Sequence, residues 1–231
     1  MQDEKKMVEA ADVVMFGRHS IRAYLSTPVP QALIEEILAI ASRAPSGTNT
    51  QPWHVHVVSG ATRDHLVAAA CAVYDTDPDY GETTYNDVYL NLDVPPYIAR
   101  KRVLGKAMYG LMGIGKGDTA GMLAQRRRNF ELFGAPVGLF FTIDRNLGRG
   151  SWMDTGMFMQ NVMLAARARG LDTCPQAYWV RFESVAAKAI GWPAEERLVS
   201  AICLGYADHS APENQLISER EPVAQFAVFH D

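Results

Sequence analysis

The size, charge and composition of this chain exclude several classes of protein. Its 231 residues suffice for one medium-sized domain with its own core, and 48% hydrophobic with 21% charged residues is ordinary for a soluble globular protein. A net charge of -4 argues against a protein built to bind nucleic acid, and no run approaches the ~20 apolar residues of a membrane span. We therefore expect neither nucleic-acid nor membrane partners.

The three cysteines, Cys71, Cys174 and Cys203, are far apart, odd in number and never spaced as Cys-x-x-Cys. This pattern predicts no disulfide framework and no metal site, and it fits a reducing compartment. The polar N-terminus, residues 1–6, lacks the apolar core of a signal peptide. We therefore expect a cytoplasmic location.

The first half of the chain predicts helices at 8–16, 31–43 and 63–74, with a strand at 53–58 between the second and third helices. The next stretch, 75–96, is rich in Asp, Tyr, Asn and Pro, which favours a long surface excursion over a regular element. Long loops in compact domains often carry function. We therefore treat Tyr85 and Tyr89 as candidate lid contacts, with ordinary surface packing as the alternative.

Periodicity in the second half predicts further helices and two strands. The predicted elements are helices at 98–109, 118–130, 152–169 and 182–190, and strands at 136–143 and 198–204. Helix 152–169 is apolar on most sides, which is typical of a core or interface helix. A loop is predicted at 170–176, and Phe226, Val228 and Phe229 alternate as in a short final strand.

Arg18-His19-Ser20-Ile21-Arg22 follows the first helix and carries two arginines four residues apart. Arginine suits bidentate phosphate contacts, and serine adds a neutral donor, so this segment can bind a phosphate. A solvated basic turn is the alternative.

Pro45-Ser46-Gly47-Thr48-Asn49-Thr50-Gln51-Pro52-Trp53 joins the second helix to the first strand. Gly47 allows a close backbone approach, and the amides of Asn49 and Gln51 each offer a donor and an acceptor. Such groups suit a polar ring edged with carbonyls and imines. The alternative is a helix-to-strand loop rich in turn formers.

Two other clusters do not support a ligand site. Gly113-Ile114-Gly115 follows no strand, and no acidic residue stands where a Rossmann ribose contact would, so we reject a dinucleotide-binding motif. The basic run Gln125-Arg126-Arg127-Arg128 predicts a solvated helix face or a salt-bridged interface.

The two N-terminal motifs, with Gly170-Leu171-Asp172-Thr173-Cys174-Pro175-Gln176 and Gly205-Tyr206-Ala207-Asp208, resemble the FMN-dependent nitroreductase family over nearly the whole chain. The middle section looks most like the branch that reduces nitrobenzoates and related nitroaromatics. The resemblance implies an α+β fold, with a central mixed or antiparallel sheet flanked by helices, in an intertwined homodimer. It also implies a single FMN-binding domain over 1–231, a variable excursion at about 75–117 and a C-terminal tail that extends onto the partner subunit.

The resemblance further implies which residues hold FMN. They are Arg18, His19, Ser20, Arg22, Pro45, Ser46, Gly47, Asn49, Gln51, Pro175, Gln176, Ala177 and Arg220. In the family a backbone N–H near the Gln176 and Ala177 positions contacts the flavin N5, where many relatives carry Glu-Gly or Gly-Gly. Arg220 matches a phosphate-binding arginine, with a surface arginine as the alternative. Arg22 matches the cation beside N1 and the C2 carbonyl.

The implied reaction is ping-pong, with no catalytic side chain assigned. NAD(P)H would give hydride to the flavin and leave, and a nitroaromatic would then be reduced in its place. The rival interpretations are another FMN oxidoreductase on the same fold, such as an enone or quinone reductase or a reductive dehalogenase, and a non-catalytic flavin-binding protein.

Overall fold

The computed structural model describes residues 2–81 and 92–230. Its α-helices are α1 (Gln2–Gly17), α2 (Gln31–Ala41), α3 (Gly60–Thr76), α4 (Tyr97–Leu111), α5 (Thr119–Arg127), α6 (Arg149–Arg167) and α7 (Glu183–Ile190). Its strands are β1 (His54–Ser59), β2 (Val137–Asp144), β3 (Asp172–Gln176) and β4 (Glu196–Gly205). Every predicted helix is present, with ends that differ by a few residues.

The four strands form one antiparallel sheet in the order β1-β2-β4-β3. Strand β2 is central and buried on both faces, because its side chains alternate between two apolar clusters. Phe140 enters the cluster on one face, whereas Leu139 and Phe141 enter the cluster on the other. The α+β fold class is therefore confirmed, with an antiparallel sheet.

Helices cover both faces of this sheet. On one face, α3 and α7 enclose an aromatic group in which the ring of Phe130 lies 3.9 Å from Phe182 and 5.2 Å from Trp179, centroid to centroid. On the other face, α2 packs against α6, and Trp53 stacks on Phe158 at 4.6 Å. Aromatic pairs at these separations add to the stability that burial provides.

The loop prediction at 170–176 is wrong, because strand β3 occupies Asp172–Gln176. The sequence signal misled because a proline and two polar residues interrupt the apolar pattern. Pro175 is tolerated because β3 is an edge strand, where one side needs no ladder hydrogen bond. The expected end of the preceding helix is confirmed, since Gly170 adopts a positive φ of 74° beyond it.

The strand prediction at the C-terminus is also wrong. In its described part the tail contains only two short 3-10 helices, Pro212–Gln215 and Val223–Gln225, and the apolar side chains that follow the second one point into solvent. Phe226, Val228 and Phe229 are 71%, 78% and 83% exposed. Alternation alone cannot form a strand, because a strand needs a hydrogen-bonding neighbour.

The candidate lid residues Tyr85 and Tyr89 lie outside the described residues. Within residues 2–81 and 92–230, we find no helix with the length and apolar character needed to cross a bilayer.

Candidate active site

The phosphate-motif segment lies along the outer edge of the sheet. Ser20 forms a parallel bridge with Thr173 of β3, and the Ile21 N–H donates to the Thr173 carbonyl over 3.1 Å. Ile21 is fully buried and anchors the segment, so the polar residues on either side of it are held at fixed positions. His19 donates from Nδ1 to the Gly17 carbonyl over 3.0 Å, which stabilises the turn after α1.

Three arginines of the predicted site lie in this region, and two of them, Arg18 and Arg220, repel each other. Burial lowers the pKa of the Arg18 guanidinium, and repulsion by Arg220 lowers that pKa further. Arg18 and Arg22 both lie close enough to Cys174 to act on its thiol. No carboxylate in the described part of the chain forms a salt bridge with Arg18, Arg22 or Arg220. Cations brought together without an acidic partner are the arrangement that an anion requires.

Cys174 lies on β3 beneath these arginines. Burial raises the pKa of its thiol, whereas Arg22, a hydrogen bond with Ser20 and Arg18 act in the opposite direction. Cys174 is 2% exposed, and its neighbour across the ladder is Cys203, which is fully buried. Both thiols are free. They pack as small apolar groups and contribute no assigned chemistry.

Arg220 is on the exposed tail, where its Nη1 donates to the Ser218 hydroxyl over 2.7 Å and to the Ser218 carbonyl over 3.1 Å. These bonds to a neighbouring residue orient the Arg220 guanidinium. The repulsion between Arg220 and Arg18 places the two cations in the same region. That both arginines bind one phosphate stays a prediction.

The Pro45–Trp53 loop is strained. Thr48, Asn49 and Gln51 have φ angles of 49°, 59° and 48°, a region that non-glycine residues rarely adopt. Each such residue costs on the order of 1 kcal/mol and persists only where its surroundings enforce it. The loop carries internal bonds, from the Gln51 N–H to the Ser46 hydroxyl over 3.0 Å and from the Gln51 amide to the Asn49 carbonyl over 3.2 Å. Strain in an exposed polar loop indicates a binding site.

A buried carboxylate ties the loop to helix α6. The Gly47 N–H donates to Asp154 Oδ2 over 3.2 Å, and Asp154 is 8% exposed. The loop leads directly into β1, which is the edge strand opposite β3. Since strands lie about 4.8 Å apart, the two edges are roughly 14 Å apart. One chain therefore carries its two predicted ligand-binding motifs at opposite edges of the sheet.

The side chain of Gln176 faces the protein interior. Its amide nitrogen donates to the Asn129 carbonyl over 2.9 Å, and its oxygen accepts from Trp179 over 3.3 Å and from Cys203 over 2.7 Å. Gln176 is 3% exposed, whereas Pro175 beside it is exposed. A ligand at this edge would therefore meet the backbone of Gln176 rather than its amide, in agreement with the expected role for a backbone N–H.

Sequence reasoning missed three residues that hold the site. Asp154 anchors the strained loop, while Arg128 and Asn214 bind the backbone of Arg22. Of the two predictions for the basic run that contains Arg128, a solvated helix face or a salt-bridged interface, the ion pairs support the second. Arg127 pairs with Asp75 and Glu131, and Arg128 pairs with Glu213. Nothing in the local sequence indicates that Arg128 also reaches Arg22.

The described residues thus form an α+β protein with an arginine-bearing segment at one edge of its antiparallel sheet and a strained polar loop that leads into the opposite edge strand. The family model described as the Nitroreductase family matches residues 15–206, so the chain belongs to that family. The 4-nitrobenzoate reductase of Pseudomonas putida is 41% identical over 218 residues, which cover 94% of both proteins. The nitrobenzene nitroreductase of Ectopseudomonas oleovorans is 35% identical over 94% of this chain and 96% of its own length.

Solved structures agree with this assignment. The FMN and NADPH-dependent nitroreductase NfnB from sphigopyxis sp. strain HMH superposes with a TM-score of 0.92 at 33% identity, covering 96% of this chain and 99% of its own. NfnB from Mycobacterium smegmatis, solved in complex with NADPH, gives a TM-score of 0.88 at 27% identity, covering 97% and 100%. The predicted nitroreductase-like fold is confirmed.

Proposed function

We propose that this chain is an FMN-dependent oxidoreductase that uses NAD(P)H to reduce nitroaromatic compounds. The observation that carries the proposal is that Arg18, Arg22 and Arg220 form no salt bridge with an acidic residue in the described part of the chain, while Arg18 and Arg22 both act on Cys174 and Arg220 acts on Arg18. Its relatives support the substrate class, because those most similar over their whole length include reductases of 4-nitrobenzoate and nitrobenzene. Nitrobenzoates and neutral nitrobenzenes are therefore the substrates to test first.

The residues present fit FMN. Arg18 and Arg220, with the Ser20 hydroxyl, would bind its phosphate, since guanidinium groups match phosphate oxygens in bidentate geometry. Arg22 would place positive charge beside the pyrimidine end of the ring, where negative charge develops on reduction. The backbone at Gln176 and Ala177 would face the reactive edge, with Pro175 next to it. His19 would shape the phosphate turn through its bond to Gly17.

The Pro45–Gln51 loop would supply the remaining contacts. Its members are Pro45, Ser46, Gly47, Asn49 and Gln51, and their amide and backbone groups can match the polar edge of the ring. Bound FMN would supply the hydride-accepting and hydride-donating chemistry. The protein would bind and orient both ligands in turn and exclude bulk water from them.

We further propose that a second copy of the chain completes the site. The loop and the arginine segment lie at opposite edges of one sheet. A homodimer in which one subunit's loop meets the partner's arginines would bring them together. Exposed apolar side chains support such an interface, for example Phe16 of α1 at 89% and Phe229 of the tail at 83%. Residues 1–231 would thus act as one FMN-binding domain, with its tail on the partner.

We also propose a cytoplasmic location. The support is the cysteine pattern of the sequence, since the three cysteines are far apart, odd in number and never spaced as Cys-x-x-Cys. Such a pattern fits a reducing compartment.

The test is anaerobic reduction of the purified protein after reconstitution with FMN. We expect a bound flavin spectrum, bleaching by NADH or NADPH, and reoxidation by 4-nitrobenzoate, which takes one electron pair to become the nitroso compound and a second pair, from another NAD(P)H, to become the hydroxylamine. Reoxidation of the reduced flavin by an enone or quinone acceptor in preference to any nitro compound would instead support the rival oxidoreductase. A flavin that neither NADH nor NADPH reduces would support the non-catalytic alternative.

A further inference from the structure

The peptide groups of Arg22 are held from two sides by side chains that are distant in sequence. The Arg22 N–H donates to Asn214 Oδ1 over 2.7 Å, and the Arg22 carbonyl accepts from Arg128 Nη2 over 2.8 Å. Asn214 belongs to the 3-10 helix Pro212–Gln215, and Arg128 caps the C-terminus of α5. Arg22 is therefore clamped between two separate elements.

Both clamping side chains are themselves immobilised. Arg128 Nη1 forms an ion pair with Glu213, which is 6% exposed. Asn214 is 5% exposed, and its amide nitrogen donates to the carbonyls of Ala23 and Asp208, both over 2.8 Å. All the hydrogen-bonding groups of the Asn214 side chain are thus used. A polar network in which every side-chain group is hydrogen-bonded is rigid, so it also fixes the position of the residue that it binds.

A buried ion pair can also be merely structural, and the chain contains one for comparison. Arg145 Nη2 pairs with Glu183 over 2.6 Å, and Arg145 Nε donates to the Ala194 carbonyl over 2.8 Å. Glu183 is 2% exposed, so the carboxylate of this pair is as buried as Glu213, and its arginine likewise binds a backbone carbonyl, although the Arg145 side chain is 43% exposed against 30% for Arg128. The two pairs differ in the carbonyl that the arginine binds, because Arg22 is a predicted ligand-binding residue and Ala194 is not.

We propose that Arg128 and Asn214 are positioning residues that fix the guanidinium of Arg22 against the ring of bound FMN. This inference rests on the proposed function. Arg22 has a long flexible side chain, and in this structure its Nη1 makes only a 3.3 Å bond to the Ser20 carbonyl. The position of its charge therefore depends on where its backbone is held. A displacement of about 1 Å at a reacting centre can cost about 100-fold in rate.

The experiment compares FMN-loaded Arg22→Gln, Arg128→Gln, the double variant and the matched control Arg145→Gln. The measured quantities are the FMN reduction potential, the FMN dissociation constant and the rate of flavin reduction by NADPH. Arg128→Gln should slow flavin reduction about tenfold and make the potential more negative, since a displaced cation stabilises the reduced ring less. Arg145→Gln should leave the FMN potential unchanged and the rate of flavin reduction within about twofold of wild type, even if it lowers the urea midpoint as much as Arg128→Gln does.

The double variant decides whether Arg128 acts through Arg22. If it does, adding Arg128→Gln to Arg22→Gln should change neither the potential nor the rate, because the charge that Arg128 positions is already absent. Should Arg128→Gln fail to fold, Arg128→Lys retains a cation for Glu213 but lacks the planar fork that reaches the Arg22 carbonyl. It should reproduce the potential shift.

Additive effects in the double variant, or an unchanged potential in both Arg128 variants, would overturn the positioning role. A wild-type protein that holds FMN but is reduced by neither NADH nor NADPH would refute the proposed reaction alone, because the potential still reports on Arg128. A wild-type protein that binds no FMN would overturn both proposals.

Discussion

Asp154 is the residue on which the geometry of the strained loop depends. Its carboxylate, on helix α6, accepts a hydrogen bond from the Gly47 N–H. The loop residues that follow Gly47 are held at unfavourable φ angles. Replacing Asp154 with alanine removes a hydrogen bond to a charged acceptor, worth about 1.5–3 kcal/mol. We expect FMN affinity to fall about tenfold, since 1.4 kcal/mol is a factor of ten in an equilibrium constant. Titration of flavin fluorescence measures this.

Asp144 is a matched control for that experiment. It accepts the Asn146 N–H over 2.7 Å in the turn after β2, so Asp144→Ala removes the same type of bond from a turn without ligand residues. Equal losses of FMN affinity in the two variants would show that Asp154 has no special connection to the loop.

Glu196 gives a second prediction at the scale of one residue. Burial raises the pKa of its carboxyl, but hydrogen bonds from Thr142 and His56 and the charges of His56 and His54 outweigh burial and leave that pKa below its usual value. A carboxyl whose pKa is lower in the folded state binds protons more tightly when unfolded. It therefore adds stability above its unfolded pKa of about 4.3, and that stability is lost as the pH falls through the folded pKa.

Urea unfolding between pH 3 and pH 7 tests this. Wild type should lose free energy of unfolding more steeply than Glu196→Gln as the pH drops below about 4.3, because only wild type carries the linked proton. The glutamine variant should be less stable at pH 7, where it lacks the charge that the wild-type carboxylate offers His56 at 2.7 Å. Parallel pH profiles for the two proteins would contradict this assignment.

At the scale of elements, the end of β4 is packed too tightly for any side chain larger than hydrogen. A Cβ at Gly205 would lie 2.7 Å from Cδ of Pro136 and 3.1 Å from the ring of Tyr24. Since the proline ring cannot rotate away, Gly205→Ala should cost about 1–3 kcal/mol in thermal or urea unfolding. The control is Gly110→Ala in α4, where an added Cβ meets no atom of the described residues within 4 Å beyond its chain neighbours and its own helix backbone, and alanine should be neutral or stabilising by up to about 1 kcal/mol.

Elements with a strong periodic pattern were predictable from the sequence, whereas those that depend on distant neighbours were not. Strand β2 is a continuous apolar run, and its predicted bounds, 136–143, differ by one residue at each end from the observed strand. Strand β3 was missed because its Pro and polar residues signal a turn, and only pairing with β4 makes them a strand. The tail shows the converse, since Val228 and Phe229 continue an alternation that no described strand pairs with.

The same reasoning applies to the candidate site. The local motif with Arg18 and Arg22 was visible because its residues are neighbours in sequence. Asp154 and Asn214 were invisible because their bonds join residues 107 and 192 positions apart. Contacts at such separations depend on the fold and leave no periodic trace in the sequence.

At the scale of the molecule, the exposed apolar surface and the divided site require the same explanation. Phe16 and Phe229 are 89% and 83% exposed, which is unfavourable for a chain that remains alone in water. A second copy would bury these side chains and bring its loop to the arginine segment of the first. Dimerisation and FMN binding should then be thermodynamically linked, because a ligand held by both subunits stabilises only the dimer.

This linkage gives the last prediction. Wild type should sediment at twice the mass of one chain, and Phe16→Asp combined with Phe229→Asp should weaken the dimer at least about 100-fold, because burying each phenylalanine is worth about 1.5–3 kcal/mol. FMN should be lost in parallel and should return when the protein concentration is raised. Leu147→Asp, at another apolar side chain that is 38% exposed, is the control and should change neither property. A wild-type monomer that holds FMN tightly would show that one chain completes the site, which would require the Pro45–Gln51 loop to reach around the sheet to Arg18.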